Sequence, residues 1–398
     1  NSPSIQQSWA RLAQAEAVAA QRGAGRSPTL GYEGAASASR DSVTRTTDEL
    51  YALGLNASYE VDLWGRVKSQ AEAAALDRDV SREQLDAAAI TLASRAALQW
   101  AAIVSQRLQT GLLQAQLEAN QKSLELVELR FRKSKATALD VYQQRQTVAS
   151  TEARLPQLEL REALLRNELT ALLGRTHFSN LVVEADALPV IGDLPAIGIP
   201  ADILANRPDV RRAGMSLTAA DWSVSAARAD RLPAIRLTAS ANVGSSELSD
   251  VFGDWFANLA ASVTGPIFDA GRRRAEVART RAVVQERLAA YREIVINAIK
   301  EVEDALVSEQ KQRDYMAALD RNLGLSRSSY DEAMNRYRNG LSEYLPVLVE
   351  LVGLQALERD RVEAQFNLLQ YRTNLYRALG GTWTRELNPP SIESEESL

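Results

Sequence analysis

The chain has 398 residues, 45% of them hydrophobic and 24% charged, with a formal net charge of −5 and no cysteine. This is the make-up of an ordered protein; it excludes disulfides, cysteine-held zinc and thiol catalysis, and offers no basic block to attract nucleic acid. No run approaches the ~18–20 consecutive apolar residues of a membrane-spanning helix, which leaves a β-barrel open because its signal per segment is much weaker.

The chain starts at Asn1 without Met and reads as a processed or trimmed product. A first helix opens on Pro3, near its N1 position, and stops before Pro28. Two strands are predicted over about 28–64 from period-two patterning. In "LYALGLNASYEVDLW", Tyr51, Leu53, Leu55, Ala57, Tyr59, Val61 and Leu63 share one face, and Ala52, Gly54, Asn56, Ser58, Glu60 and Asp62 share the other. The preceding strand alternates less cleanly, with Leu30, Tyr32 and Ala36 on its apolar face. After Gly65 no proline occurs until Pro156, and Leu113, Leu117, Leu124, Val127 and Phe131 form a coiled-coil seam. This predicts a long helix over about 66–132, rising ~100 Å, a tip at "KSKAT", and a returning helix over about 137–173.

Residues 175–206 carry three prolines and bridge to a second copy of the same order. The second copy has a helix from Pro208, strands over about 233–268, a long helix over about 272–338 and a returning helix over about 344–379. An acidic tail, 381–398, closes the chain. "RFRKSKATALDVYQQRQ" at Arg130 and "RYRNGLSEYLPVLVELV" at Arg336 stand 206 residues apart, and "YEVDLWGR" matches "GPIFDAGR" at the same offset. The chain is therefore read as a duplication, 1–174 and 207–380. In the second copy Ile235, Leu237, Ala239, Ala241 and Val243 form the apolar stripe of one strand, and Trp255, Ala257, Leu259, Ala261 and Val263 that of its partner.

Four strands cannot close around a lumen, so their apolar face must be covered by helices, as in a soluble α+β domain, or by lipid. Three features favour lipid. The opposite face is small and polar; Tyr51, Tyr59, Trp64 and Trp255 sit towards strand ends, where an interfacial girdle belongs; and the helices already have a seam of their own. Closure in lipid then needs several chains, because every backbone group there requires a partner.

"NRPDVRRA", "ARADRLPAIRLTASA", "DLWGR", "GPIFDAGRRRAEV", "ARLPQLELREALLRNELTALLG" and "LYRALGGTW", in this order and spacing, resemble the TolC-like bacterial outer-membrane efflux channels. The likeness covers Ser2 to Trp383 and is greatest to the branch that partners resistance-nodulation-division pumps. It implies an α+β membrane protein made mainly of long helices. Three chains would build a twelve-stranded β-barrel, four strands each, on a coiled-coil α-helical barrel, with residues 175–206 and the C-terminal segment at an equatorial collar. The implied role is a passive exit duct across outer membrane and periplasm, opened by a periplasmic adaptor and an inner-membrane pump. A duct for secreted polypeptides is the near alternative, and a soluble or surface coiled-coil scaffold is the alternative of another class.

The same resemblance marks Lys133, Ser134, Lys135, Ala136, Asn339, Gly340, Leu341 and Ser342 as tips that meet the adaptor, against the plainer reading of exposed turns. By position after the tips, Leu139, Asp140, Leu345 and Glu350 are candidates for a periplasmic gate, against a buried leucine pair and two solvated carboxylates. The chain departs from the family in three ways. The lipid-bearing N-terminal Cys is missing from the sequence, so acylation is left open; "RKSKA" lacks the glycine expected at the first tip; and Val349 stands where related channels tend to carry Asp, with Glu350 beside it. His177, the single histidine, has no ligand-like spacing around it and reads as structural. Arg272–Arg274 reads either as a solvated helix start or as a cluster for lipid phosphate. "SSELSD" and "FGDWF" suggest an extracellular hairpin loop. No phosphate loop, catalytic set or metal cluster is found, so no enzyme activity and no cofactor are expected.

Overall fold

The computed structural model describes residues 2–43, 45, 47–176, 185, 187–195, 205–381, 384 and 387. The reading of His177, and most of those on the linker and the acidic tail, fall outside these residues. In chain order the elements are α1 (Pro3–Ala24), β1 (Thr29–Arg40), β2 (Thr47–Val61), α2 (Arg66–Arg132), α3 (Ala138–Leu172), α4 (Pro208–Ala229), β3 (Ala234–Ser245), β4 (Trp255–Thr264), α5 (Arg272–Arg338) and α6 (Leu345–Leu379). Gly65 and Gly271, of the two "GR" pairs, take φ of 72° and 83° directly before α2 and α5. That left-handed step turns strand into helix without a Cβ clash.

The repeats are not the compact units of the chain. One unit comprises Asn1–Gln7, Asp86–Arg207 and Ile296–Leu398, the other Ser8–Leu85 and Pro208–Val295, so each draws on both copies.

In the second of these units the strands form one antiparallel sheet of order β1-β2-β3-β4. The register pairs Tyr32 with Leu55, Leu55 with Ala241 and Ala241 with Ala257. It also pairs Leu53 with Val243 and Val243 with Trp255. Directly paired residues point to the same side of an antiparallel sheet, so the four apolar stripes merge into one face. That face is uncovered: Tyr32, Leu55, Trp255 and Leu259 are exposed by 87%, 52%, 75% and 81%. The other face gathers Asn56, Ser58, Thr238, Ser240, Asn242 and Ser262. Tyr51 and Trp255 mark the end of the sheet near the loops, and Tyr59 and Trp64 the end that meets the helices. Eight residue steps run from Tyr51 to Tyr59, roughly 26 Å along a strand, close to the ~25 Å of a barrel's apolar band. The β3–β4 loop holds a short 3₁₀ turn, Leu248–Asp250, with Val251 buried beneath it.

In the other unit the helical core differs from the expected seam in one stretch. Leu113 and Val127 are buried, but Leu117 is only half-buried and Phe131 is exposed; Gln116 and Asn120 take the interior positions instead. No run of consecutive apolar residues reaches a span's length, but averaging over a window gives a different view of α2. α2 contains an 18-residue window apolar enough to cross a membrane by length and composition. Counting consecutive apolar residues misses it, because stretches such as "AAAITLASRAALQWAAIV" are interrupted by Thr91, the adjacent Ser94 and Arg95, and Gln99.

Candidate functional site

The sequence-predicted tip residues come together as two helical hairpin turns in the same unit. Both turns use one backbone scheme. At the first, Lys135 N–H donates to Arg130 O at 2.8 Å and Ser134 N–H to Phe131 O at 2.8 Å; at the second, Leu341 N–H donates to Arg336 O at 2.8 Å and Gly340 N–H to Tyr337 O at 3.0 Å. This is the Schellman arrangement, with its left-handed residue at the end of the helix. Gly340 supplies it at φ 74°, and Ser134 at φ 58° in the copy that lacks a glycine. The missing glycine has thus changed the cost of the turn and not its shape.

The helices that return from the turns start differently. α3 opens with a capping box: Thr137 Oγ1 accepts from Asp140 N–H at 3.2 Å, and Asp140 Oδ2 accepts from Thr137 N–H at 2.8 Å. α6 opens on Tyr344 with no side-chain cap and has Pro346 in its first turn. Between the turns lies a cleft of ≈ 670 Å³, lined by residues including Ser134, Lys135, Ala136, Leu139, Gly340 and Leu345. Lys133, Ser134, Lys135, Asn339, Gly340 and Leu341 are exposed, and Ala136 and Ser342 half-buried.

Of the gate candidates, Leu139 and Leu345 are exposed in the chain, so they do not form a buried pair within it. Asp140 is occupied by its own helix cap. Glu350 is half-buried, with no hydrogen-bond or ion-pair partner among the described residues.

Beneath the cleft, Tyr344 packs with Val127, Val141, Met334, Tyr337 and Val347. Its ring centroid lies 5.2 Å from that of Tyr337, over which the Arg130 guanidinium sits at 4.3 Å. Burial, and then the charges and dipoles of Tyr330, Tyr337 and Asp140, push the Tyr344 phenol far above its ordinary range. It therefore stays a neutral donor, and it donates to Gln144 Oε1 at 2.6 Å.

Gln144 is fully buried and starts a polar ladder that sequence reasoning missed. Gln144 Nε2 donates to Asn120 O at 2.8 Å, and Gln355 Nε2 donates to Asn120 Oδ1 at 2.8 Å. Gln116 Nε2 donates to Gln355 O at 3.1 Å, and Arg359 Nη1 donates to Gln116 Oε1 at 2.7 Å. The one available signal was the gap at position 120 in the α2 leucine seam. A polar residue at such a position fixes helix register, since any slip strands it without partners.

Higher in the same unit is a second buried polar centre. Glu309, fully buried, accepts from Arg372 Nη2 at 2.6 Å and from Arg313 Nη2 at 3.0 Å. The remaining donors of these arginines hold the linker: Arg372 Nη1 reaches Asp193 O at 3.0 Å and Arg313 Nη2 reaches Gly192 O at 2.7 Å. Burial alone would raise the Glu309 pKa, but the hydrogen bonds and charges of Arg372 and Arg313 outweigh it and hold the carboxyl below its ordinary range. Among the described residues no group of acidic, His or Cys side chains is arranged to hold a metal.

An open sheet with an oily outer face, joined to long paired helices, has counterparts among known proteins. The family model described as outer membrane efflux protein matches residues 1–175 and 199–381. The chain belongs to this family. Among curated members, the pyoverdine export outer membrane protein OpmQ of Pseudomonas aeruginosa is 32% identical over 96% of this chain and 83% of its own length. The cation efflux protein CusC of Escherichia coli is 32% identical over 90% of this chain and 79% of its own. Among solved structures, a CusC crystal structure superposes with a TM-score of 0.89 at 29% identity, covering 96% of this chain and 90% of that one. VceC of Vibrio cholerae superposes with a TM-score of 0.89 at 26% identity, over 96% and 93%. As a member of the outer membrane efflux proteins, the chain is an outer-membrane channel component that extends into the periplasm.

Proposed function

We propose that three copies of this chain form a passive efflux duct for small molecules, opened when its helical tips are engaged by a periplasmic adaptor coupled to an inner-membrane pump of the resistance-nodulation-division type. The observation that carries this reading is the sheet. Four strands bring every apolar stripe to one exposed face and leave β1 and β4 as open edges. In hydrocarbon such edges require partners, and neighbouring copies supply strands of matching length. Three sheets of four give the twelve strands that the family resemblance implies, enough for a wet lumen lined by the small polar face.

Such a duct conducts and does not turn over substrate, and no step in it calls for an enzyme. The curated relatives are named for pyoverdine, cation, solvent and toluene efflux, so family membership alone leaves the cargo of this chain open. The tips Lys133–Ala136 and Asn339–Ser342 are the adaptor contacts in this proposal. Leu139, Leu345 and Glu350 narrow the entrance, while Asp140 acts first as a helix cap. Three unpaired Glu350 carboxylates around one axis would repel one another and select cations.

The purified protein should have three times the chain mass and require detergent; a soluble monomer without detergent would overturn the duct. In planar bilayers Glu350→Ala should raise single-channel conductance, whereas Asp140→Ala should act mainly on stability. An unchanged E350A conductance removes that residue from the gate.

A further inference from the structure

We propose that the junctions between helices and sheet form a basic collar that binds the headgroups of anionic phospholipids in the periplasmic leaflet of the outer membrane. This rests on the reading of the sheet's apolar face as lipid-facing. All four crossings between helix and strand lie at one end of the sheet. The register places Thr29 beside Ser58, Val61 beside Ile235 and Ala234 beside Thr264, and α1, α2, α4 and α5 end or begin within a few residues of these pairs.

The acids at this end are occupied. Glu60 binds Arg66 through both oxygens at 2.7 Å, and Asp62 caps α2 by accepting from Val67 N–H at 3.0 Å and Lys68 N–H at 2.7 Å. Asp230 accepts from Arg273 Nε at 3.0 Å, and Asp269 accepts from Gly271 N–H at 3.0 Å at the start of α5. The cations outnumber them. Arg22, Lys68, Arg228, Arg231, Arg272 and Arg274 are exposed, and among the described residues none has an ion pair or side-chain hydrogen bond. A chain of net charge −5 thus gathers six cations without acidic partners in or beside the end turns of four helices at one level.

Charge alone would suit any anion, but the same end is also oily. Leu63 and Trp64, between β2 and α2, and Ile267 and Phe268, between β4 and α5, are exposed at this same end of the sheet. Trp64 is held there by its Nε1–H, which donates to Pro233 O at 2.8 Å. Exposed aromatic and aliphatic side chains in the same helix–strand connections as unpaired guanidinium groups fit the boundary between acyl chains and phosphates. A soluble acidic protein would have no use for the Ile267–Phe268 rim.

The test uses the intact protein in detergent, exchanged against mixed micelles of phosphatidylglycerol and phosphatidylcholine, with retained lipids counted by native mass spectrometry. Wild type should retain phosphatidylglycerol over phosphatidylcholine by about fivefold or more. The triple variant R231Q/R272Q/R274Q should lose that preference, R231K/R272K/R274K should keep most of it, and the charge-matched control R281Q/R292Q/R321Q should leave it unchanged. Equal retention of both lipids by wild type, or equal loss in the junction and control variants, overturns the proposal. A wild-type protein that fails to enter bilayers of either lipid instead overturns the lipid-facing sheet, so the two failures can be told apart. Circular dichroism of each variant checks that it has folded.

Discussion

The two copies of the repeat hold the linker in opposite ways, using residues at matched positions. Arg107 and Arg166 of the first copy correspond to Arg313 and Arg372 of the second, yet the acid between them has moved. In the first copy it is Glu162, on the returning helix and partly exposed, bound by Arg107 at 2.8 Å and Arg166 at 3.3 Å. In the second it is Glu309, on the long helix and fully buried. The position matching Glu309 in the first copy is Ile103, which packs with Val104 and Leu169 and receives Ala185 and Leu188 of the linker. One copy grips the linker through apolar burial and the other through guanidinium donors to its carbonyls. Two arginines in a duplicated frame can thus serve as a surface ion network or as a buried clamp, depending on which helix carries the carboxylate.

The sharpest way to break this comparison is to remove the matched arginines one at a time. Arg372→Met leaves Glu309 buried with a single remaining partner and should cost about 3–5 kcal/mol. Arg166→Met disturbs a partly solvated pair and should cost no more than about 1 kcal/mol. Denaturant unfolding of both variants decides it, and equal losses would mean that the clamp is no different from the surface network.

Acid provides the next test. The Glu309 pKa is lower folded than unfolded, so its contribution is present in full above the unfolded value, about 4.3, and disappears as pH falls through the folded one. The deficit of Glu309→Gln relative to wild type should therefore be greatest at neutral pH and shrink below about pH 4. Unfolding followed from pH 7 to pH 3 reads this directly, and a deficit that is constant with pH would assign Glu309 to packing alone.

The smallest expected effects come from the turns, where the copies share a shape but not a residue. Gly340→Ala should cost about 1–2 kcal/mol, because nothing crowds the site and only the left-handed backbone opposes a side chain. Ser134→Gly should stabilise by up to about 1 kcal/mol for the same reason with reversed sign. Thermal unfolding and limited proteolysis at the turns check both, and changes of the same sign in the two variants would show that the turns differ in more than their left-handed residue.

Much of this molecule was legible because its periods are strong. Strict alternation from Tyr51 to Val61 assigns strand and face together, and uninterrupted proline-free runs with three-and-four spacing assign α2 and α5. Pairing of β2 with β3 was not legible. It joins segments separated by most of the chain, and local periodicity carries no information about which edge meets which. At the tips, Gly340 and Pro346 announce helix ends, since each is a local backbone requirement, whereas the Thr137/Asp140 capping box emerged only from the structure. The buried ladder was missed because Gln116, Gln144 and Gln355 look like solvent-facing residues until three helices put their amides within reach of one another. Leu117 and Phe131 were placed on the seam by spacing alone, and the interior instead follows Gln116 and Asn120.

The unpaired rims of β1 and β4 have a bearing on biogenesis. A newly exported single copy presents two rows of unsatisfied peptide groups and a broad greasy surface to water, a combination that templates indiscriminate strand addition. With three copies closing the barrel as proposed, delivery to the bilayer becomes a race between productive encounter with two sister molecules and off-route clumping, one that an escort shielding those rims would help to win.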